Sequence, residues 1–454
     1  MRYQLDRVED EYLYASTITN VSSSLYYHDS KWCISVVLCL LQETGGKNSK
    51  AVKWFVTNTA KAIKANCSGF FVSLNSHYYT RNVQRIGYRG TISLLNLLEE
   101  EGYIDIYIGF VAEWDENGKP LRTVPSFVQF KEKYLALWDG IDIRFLPNLP
   151  TEDLVEVKDR KTGELKSLKG RNGIGQIKEV VQMLNDSLKE VKIEFMGKRV
   201  APVEYKRIYS NNLMECGRFF VAGGGVQIIP EKYRSKYLKF NGEAVVELDF
   251  SSIHPFICYE RLNLGGGFDC NLWEILGEDF KPYDADTSML NVDWEAVEAF
   301  KTAYNIGRYD PIRNLCKQAL LTSINAVDRT SAVAAVSSEL LRDMKKAGTK
   351  DEHKRKYVGL IPQVRVGELC DAIKEHNYII EDFFFRDMGV KLMNTDSNIT
   401  ARIVETMVQQ GESILCYHDS YICRESAENM LYDAMRKAWK EEIGDNQFCK
   451  ISKK

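Results

Sequence analysis

Apolar residues recur at helical spacing in several stretches of the chain and at strand spacing in others. Positions 32–42 and 49–64 carry helical stripes. A cleaner stripe runs through 90–101, with Ile92, Leu94, Leu95, Leu97 and Leu98 as its apolar members, and Gly102 stands where a left-handed residue closes a helix. Positions 103–111 then alternate like a strand, Asp115-Glu116-Asn117-Gly118 makes a turn, and 121–130 returns. Residues 150–172 are polar and charged, follow Pro147 and Pro150, contain Gly163 and Gly170, and read as a linker or exposed loop. A helix with an apolar stripe is expected at 174–184. Further on, 244–248 is β-prone apart from Glu247 and ends at Asp249, with a helix expected over 252–262. Two more helices are expected around 313–326 and 399–407. Ile414-Leu415 and Tyr421-Ile422-Cys423 flank a tight strand-turn-strand at His418-Asp419. The mixture of elements predicts an α+β chain.

The order of helices followed by a hairpin in residues 1–148 resembles a winged helix of the DNA-binding kind. Tyr78, Tyr79, Arg81, Arg85, Tyr88 and Arg89 cluster before its last helix, and Arg with Tyr suits phosphate contact and stacking. An ordinary small α+β domain with a charged surface fits the same pattern. Residues 149–204 read as a linker with a helical, thumb-like segment, and 205–454 carry the chemical motifs.

With 454 residues the chain has room for two or three domains, and 44% hydrophobic residues allow a full core. A net charge of −3 rules out a protein that binds polyanions over its whole surface, so any nucleic-acid interface must be a local patch. The 11 cysteines include no CxxC pair and no cluster at zinc spacing, which reads as free thiols of a reducing compartment. No signal region opens the chain and no stretch is apolar enough to span a membrane. A soluble, cytoplasmic protein is expected.

Three constellations carry chemistry. Asp249 and Asp419 each sit among apolar, β-prone neighbours, and a buried carboxylate needs a cation. Brought together, the pair would make a two-metal site for phosphoryl transfer; an N-capping role for Asp249 is the plainer alternative. Arg313, Lys317, Leu321 and Asn325 follow at intervals of four and share one helical face, where two cations suit a triphosphate or, more plainly, a solvated surface. Gly217-Arg218 precedes Gln227-Ile228-Ile229-Pro230, Gln227 standing nine positions after Arg218, with Gly223-Gly224-Gly225 between. Glycines there allow close approach of backbone to a ligand.

Taken in order, these segments resemble the family A nucleic-acid polymerases over about residues 205–435. Gly217-Arg218 with Gln227 to Pro230 is similar to the element before motif A, Val246 to Phe256 to motif A, Arg313 to Asn325 to motif B, and Cys416 to Cys423 to motif C. The resemblance implies a right-hand palm and fingers, an antiparallel sheet with helices. It implies a catalytic set of Asp249, Asp419 and Lys317, with two Mg²⁺ ions (or Mn²⁺) held by Asp249, Asp419 and the Phe250 carbonyl. Arg313, Lys317, His254, Asn325 and Phe250 would line the nucleotide, while Arg218, Gln227 and His418 would meet the nucleic acid. The basic run Lys345-Lys346, Lys350, Lys354-Arg355-Lys356 would hold the template or form a charged loop. Three positions depart from the family's DNA enzymes: Ser420 where they have Glu, His254 where they have Glu, and Asn325 where motif B usually carries an aromatic. His-Asp-Ser is the pattern of single-subunit phage-type RNA polymerases, whereas a bulky His254 fits a steric gate for deoxynucleotides. The expected partners are DNA template, primer and nucleoside triphosphates, and the expected setting is replication of a plasmid, phage or other mobile element. An RNA polymerase or primase on the same fold, and a non-catalytic DNA-binding replication initiator, are the alternatives.

Overall fold

The computed structural model describes residues 21–22, 34–64, 67–74, 76–79, 86–114, 120–124, 126–141, 154–200, 203–222, 225–229, 231–265, 271–288, 295, 311–347 and 365–454. It is a mixed α+β structure, and among the described residues its buried apolar side chains fall into two clusters, one within residues 36–138 and one within 154–449.

The first cluster belongs to β1 (Val21–Ser22), α1 (Ile34–Glu43), α2 (Ser49–Lys64), β2 (Gly69–Val72), α3 (Tyr88–Glu100), β3 (Ile104–Tyr107), β4 (Phe110–Trp114), β5 (Pro120–Val124), β6 (Ser126–Phe130) and α4 (Glu132–Leu135). The stripe expected at 90–101 is α3, which buries Leu94, Leu95 and Leu98. Gly102 follows it at φ +73°, and Tyr103 N–H closes on Leu98 O at 2.8 Å. The expected hairpin forms in two pieces: β3 pairs β6, and β4 pairs β5. Strand β2, which the helical reading of this part left out, sits between β1 and β6 in a four-stranded sheet of order β1-β2-β6-β3.

The second cluster is built from β7 (Val155–Lys158), α5 (Ile174–Lys189), β8 (Ile193–Phe195), β9 (Lys198–Arg199), β10 (Tyr205–Ser210), β11 (Cys216–Val221), α6 (Glu231–Tyr237), β12 (Leu238–Phe240), β13 (Glu243–Phe250), α7 (Ile253–Leu264), α8 (Leu272–Leu276), α9 (Pro311–Asn325), α10 (Arg329–Ala347), α11 (Val366–His376), α12 (Gly389–Gln409), β14 (Leu415–Tyr417), β15 (Ser420–Arg424), α13 (Glu428–Ile443) and β16 (Ile451–Lys453). The stretch expected as a linker contains β7, which runs parallel to β10 and buries Leu154, Val155 and Val157. The buried carboxylate of Glu156 on β7 is neutralised by Lys206 at 2.5 Å and Lys158 at 2.8 Å.

The larger sheet runs β14-β15-β13-β12-β8-β9, with β16 on the free side of the β13 end. Strand β13 is apolar at Val245, Val246, Leu248 and Phe250 because both of its faces are covered. It enters through a two-residue turn, Asn241-Gly242, both at positive φ as a type I′ hairpin requires. Helix α12 lies across β11 and packs on α13 and α5. Lys61 of the first cluster and Glu204 of the second form a buried ion pair across the two. Among the described residues no helix is long and apolar enough to cross a membrane.

Candidate active site

Asp249 is the penultimate residue of β13, flanked by strands on both sides. It pairs with Ser420 of β15 and with Ser452 of β16. Asp419 occupies the second position of the two-residue turn between β14 and β15, where Tyr417 pairs with Ser420. The first turn position, His418, has φ +64°, the left-handed conformation that a tight hairpin demands there. Phe250 N–H donates to the Asp419 carbonyl at 3.1 Å, which ties the two acidic segments directly. The capping alternative for Asp249 does not hold: Ser252 is the N-cap of α7.

Burial, and then the nearby charge of Asp419, push the Asp249 carboxyl up to about 6. Both causes are what a cation between the two carboxylates would relieve. The Lys454 ammonium already lies 3.2 Å from Asp249 Oδ1 and 3.9 Å from Glu247 Oε1. Burial opposes its charge, but Asp249, Glu231 and Glu247 outweigh that and hold Lys454 above its ordinary value. Among the described residues no group of three or more His, Cys, Asp or Glu side chains converges as a metal cage. The two carboxylates and a backbone carbonyl are the smaller donor set that oxygen-seeking divalent ions accept, with water completing the shell. The Phe250 ring packs in the core against Tyr421 and Trp439, so only its backbone is left for such a role.

The hairpin is braced from beneath. Tyr205 OH accepts from Cys416 N–H at 3.0 Å and lies 3.2 Å from Cys416 O. Tyr417 OH donates to Val226 O at 2.5 Å, under the Arg234 guanidinium 3.8 Å from its ring centre. Gln227 was expected at the nucleic acid; instead its carboxamide is fully engaged inside the protein. Its Oε1 accepts from Val221 N–H at 2.7 Å, and Nε2 donates to Phe219 O and Cys416 O, each at 3.1 Å. Such a residue braces β11 against β14 and has both of its N–H donors used within the protein.

Helix α9 turns Arg313 and Lys317 outward on one face, as the spacing predicts. Both lie over one buried ring, Tyr283, at 5.1 Å and 5.9 Å from its centre. The phenol lies near Ser252, which follows the Asp249 strand, and within electrostatic reach of Asp249 and Asp419. Burial raises it to about 12. Tyr283 therefore joins the cations of α9 to the carboxylate pair. Nothing in its sequence neighbourhood marks it. Asn325 ends the same helix with its carboxamide packed against Gly389, where an added Cβ would lie 1.6 Å from Asn325 Oδ1. The position serves close approach of α9 and α12, which leaves its expected nucleotide contact without support in the geometry.

Arg218 on β11 and His254 on α7 meet over Asp396 of α12. Arg218 Nε donates to Asp396 at 3.2 Å, and His254 Nε2 bonds the same Oδ2 at 2.9 Å. Asp396 is 1% exposed, and its charge outweighs the burial of Arg218 and raises it. Next to it, Arg207 is buried and holds Gly217 O at 2.7 Å and Ser397 Oγ at 3.0 Å. Gly217 has φ +91°, and a Cβ there would lie 2.5 Å from the Tyr209 ring. Desolvation and the Arg218 cation lower His418, whose ring meets Phe220 edge-on at 5.7 Å.

Arg89 is exposed on the first turn of α3, in a shallow depression shared with Tyr88, Ile92 and Ser93. Arg81 and Arg85 lie outside the described residues, as do Lys350, Lys354, Arg355 and Lys356. The cysteines among the described residues are free thiols.

No protein-family model matches the chain, and no curated protein does. A solved structure titled the POL domain of Pol1 from M. smegmatis, in complex with DNA primer-template and dNTP, matches 98% of this chain and 69% of that one. The two are 11% identical, with a TM-score of 0.31. A likeness of that size carries no argument about fold or function.

Proposed function

We propose that this chain is a template-directed nucleotidyltransferase, a DNA polymerase that extends a primer in the replication of a plasmid, phage or other mobile element. The observation that carries the reading is the pairing of Asp249 on β13 with Asp419 in the adjoining hairpin turn, within electrostatic reach of Tyr283, the ring under the cations of α9. In this reading residues 205–454 form palm and fingers, with β13, β15 and β16 as the palm sheet and α9 as the fingers helix. Residues 1–148 form a winged-helix-like DNA-binding domain, with Arg81, Arg85 and Arg89 toward the duplex. Residues 149–204 supply a small thumb.

Phosphoryl transfer asks for positioning and charge neutralisation more than for covalent chemistry. Two Mg²⁺ ions, held by Asp249, Asp419 and the Phe250 carbonyl, would neutralise the attacking and leaving oxygens when bound. Arg313 and Lys317 move from the Tyr283 ring onto the β- and γ-phosphates, a stronger anionic partner for both cations. Lys317 Nζ gives a proton to the departing pyrophosphate. Arg218 and His418 contact the primer strand, and His254 borders the incoming sugar.

Primer extension with dNTPs and with NTPs, in Mg²⁺ and in Mn²⁺, tests the reading. Extension with dNTPs that disappears in Asp249→Asn and Asp419→Asn is the expected result. Extension with NTPs alone would move the chain to the RNA polymerase or primase alternative. Duplex binding without extension, unaffected by either substitution, would make it a replication initiator.

A further inference from the structure

Asp396 lies outside the motifs of the proposed site, yet it is a fully enclosed charge beside it. Its side chain is 1% exposed and is reached from two other elements: Arg218 of β11 and His254 of α7. A carboxylate this enclosed is strongly disfavoured without partners, and here a cation and an imidazole both supply them. Arg218 uses Nε and Nη2 on Asp396 and keeps 20% of its side chain open. Its Nη1 takes no part in these bonds. The guanidinium is thereby held in one plane, within electrostatic reach of Asp419. The backbone around it is fixed as well: Asn394 and Ser397 of α12 donate to Cys216 O, at 3.1 Å and 2.9 Å.

We infer that Asp396 is a positioning residue for nucleic-acid binding, which aims the free edge of Arg218 at the primer strand beside the carboxylate pair without touching that strand itself. The inference rests on the polymerase reading of the site. A guanidinium fixed in this way loses less side-chain freedom when it meets a phosphate or a base edge.

Binding separates this role from catalysis. Fluorescence anisotropy of a labelled primer–template duplex, titrated with the full chain in EDTA, reads affinity with no turnover. Arg218→Ala is expected to weaken binding about tenfold, and Asp396→Asn by a similar factor. The Asn keeps the size of Asp396 and removes its charge, so the substitution weakens the charge-assisted hold on Arg218. The double variant is expected to bind no more weakly than Arg218→Ala alone. It carries neither buried charge, so it remains testable if Asp396→Asn unfolds, and a wild-type urea midpoint verifies its fold. Two results would overturn the inference: wild-type affinity in Asp396→Asn, or losses that multiply in the double variant. Absence of duplex binding by the wild-type chain would instead remove the polymerase reading on which the inference stands.

Discussion

Replacing Asp249 by Asn should make the protein more stable at neutral pH while it removes activity. In the folded chain the Asp249 carboxyl is raised from 3.8 to about 6. The difference is 6 − 3.8, roughly two units, and at about 1.4 kcal/mol per unit the ionised group costs the fold about 3 kcal/mol at pH 7. The sign follows from which state holds the proton. Below 3.8 both states are protonated and the cost is absent. Between 3.8 and about 6 the unfolded chain ionises first and stability falls as pH rises; above about 6 the cost is constant. Asn carries no charge, and Lys454 keeps Glu231 and Glu247 as partners, so the substitution creates no isolated cation. The assay is urea unfolding followed by tryptophan fluorescence, because Trp439 packs on Phe250 next to the site. Asp249→Asn should unfold at higher urea than wild type at pH 7.5, and the two midpoints should converge toward pH 4. Mg²⁺ should stabilise the wild type and leave the variant unmoved. Equal midpoints at pH 7.5, or a gap that does not close in acid, would refute the account of Asp249 as a strained, charge-repelled carboxylate.

Two further outcomes bear on neighbouring elements. Gly217→Ala should destabilise the chain by about 2–4 kcal/mol in the same unfolding assay, because the residue would be strained at positive φ and its Cβ would strike a buried ring. The ring of Tyr209 cannot move aside cheaply, since Arg207 lies 5.1 Å from its centre on a buried wall. Lys317→Met should lower kcat/KM for the nucleotide by roughly 10²–10³-fold, whereas Lys317→Arg should keep nucleotide affinity and change the basic limb of the pH–rate profile. A profile identical in Lys317→Arg and wild type would remove Lys317 as the proton donor.

What could be read from the sequence was local. A β-prone run ending in Asp249 and a tight hairpin around Asp419 each make an element from adjacent residues, and both formed as expected. The helical faces of α3 and α9 were legible for the same reason. What depended on distant partners was not. Strand β7 is four residues of Val-Glu-Val-Lys beside charged turns, and only parallel pairing with β10 makes it a buried strand. Asn394-Thr395-Asp396-Ser397 precedes the helix expected at 399–407; it lies inside α12, buried because β11 supplies the Cys216 carbonyl and a guanidinium to that face. Tyr283 lacks any local signal, since its meaning is the meeting of α9 with the end of the strand that carries Asp249. Gln227, singled out for its interval to Arg218, bonds the backbone of β11 and β14, partners that its own neighbourhood does not reveal.

Ser420, the residue on which the choice of nucleotide seemed to turn, is explained by the sheet. Its hydroxyl donates to Glu247 Oε1 at 2.5 Å. Glu247 lies two positions before Asp249, on the same face of β13, and is 1% exposed. Arg234 neutralises it at 2.8 Å. A carboxylate at 420 would lie diagonal to this buried one, within its hydrogen-bond reach, and directly opposite Asp249, and like charges placed so are destabilising. Serine at 420 is therefore the consequence of glutamate at 247: the two strands carry one carboxylate between these positions, and in this chain β13 provides it. The sheet thus accounts for serine at 420 without reference to a substrate. In the proposed polymerase, discrimination between deoxy- and ribonucleotides would arise where the sugar is bordered. The residue proposed there, His254, is pinned through Nε2 to Asp396 rather than free to adapt.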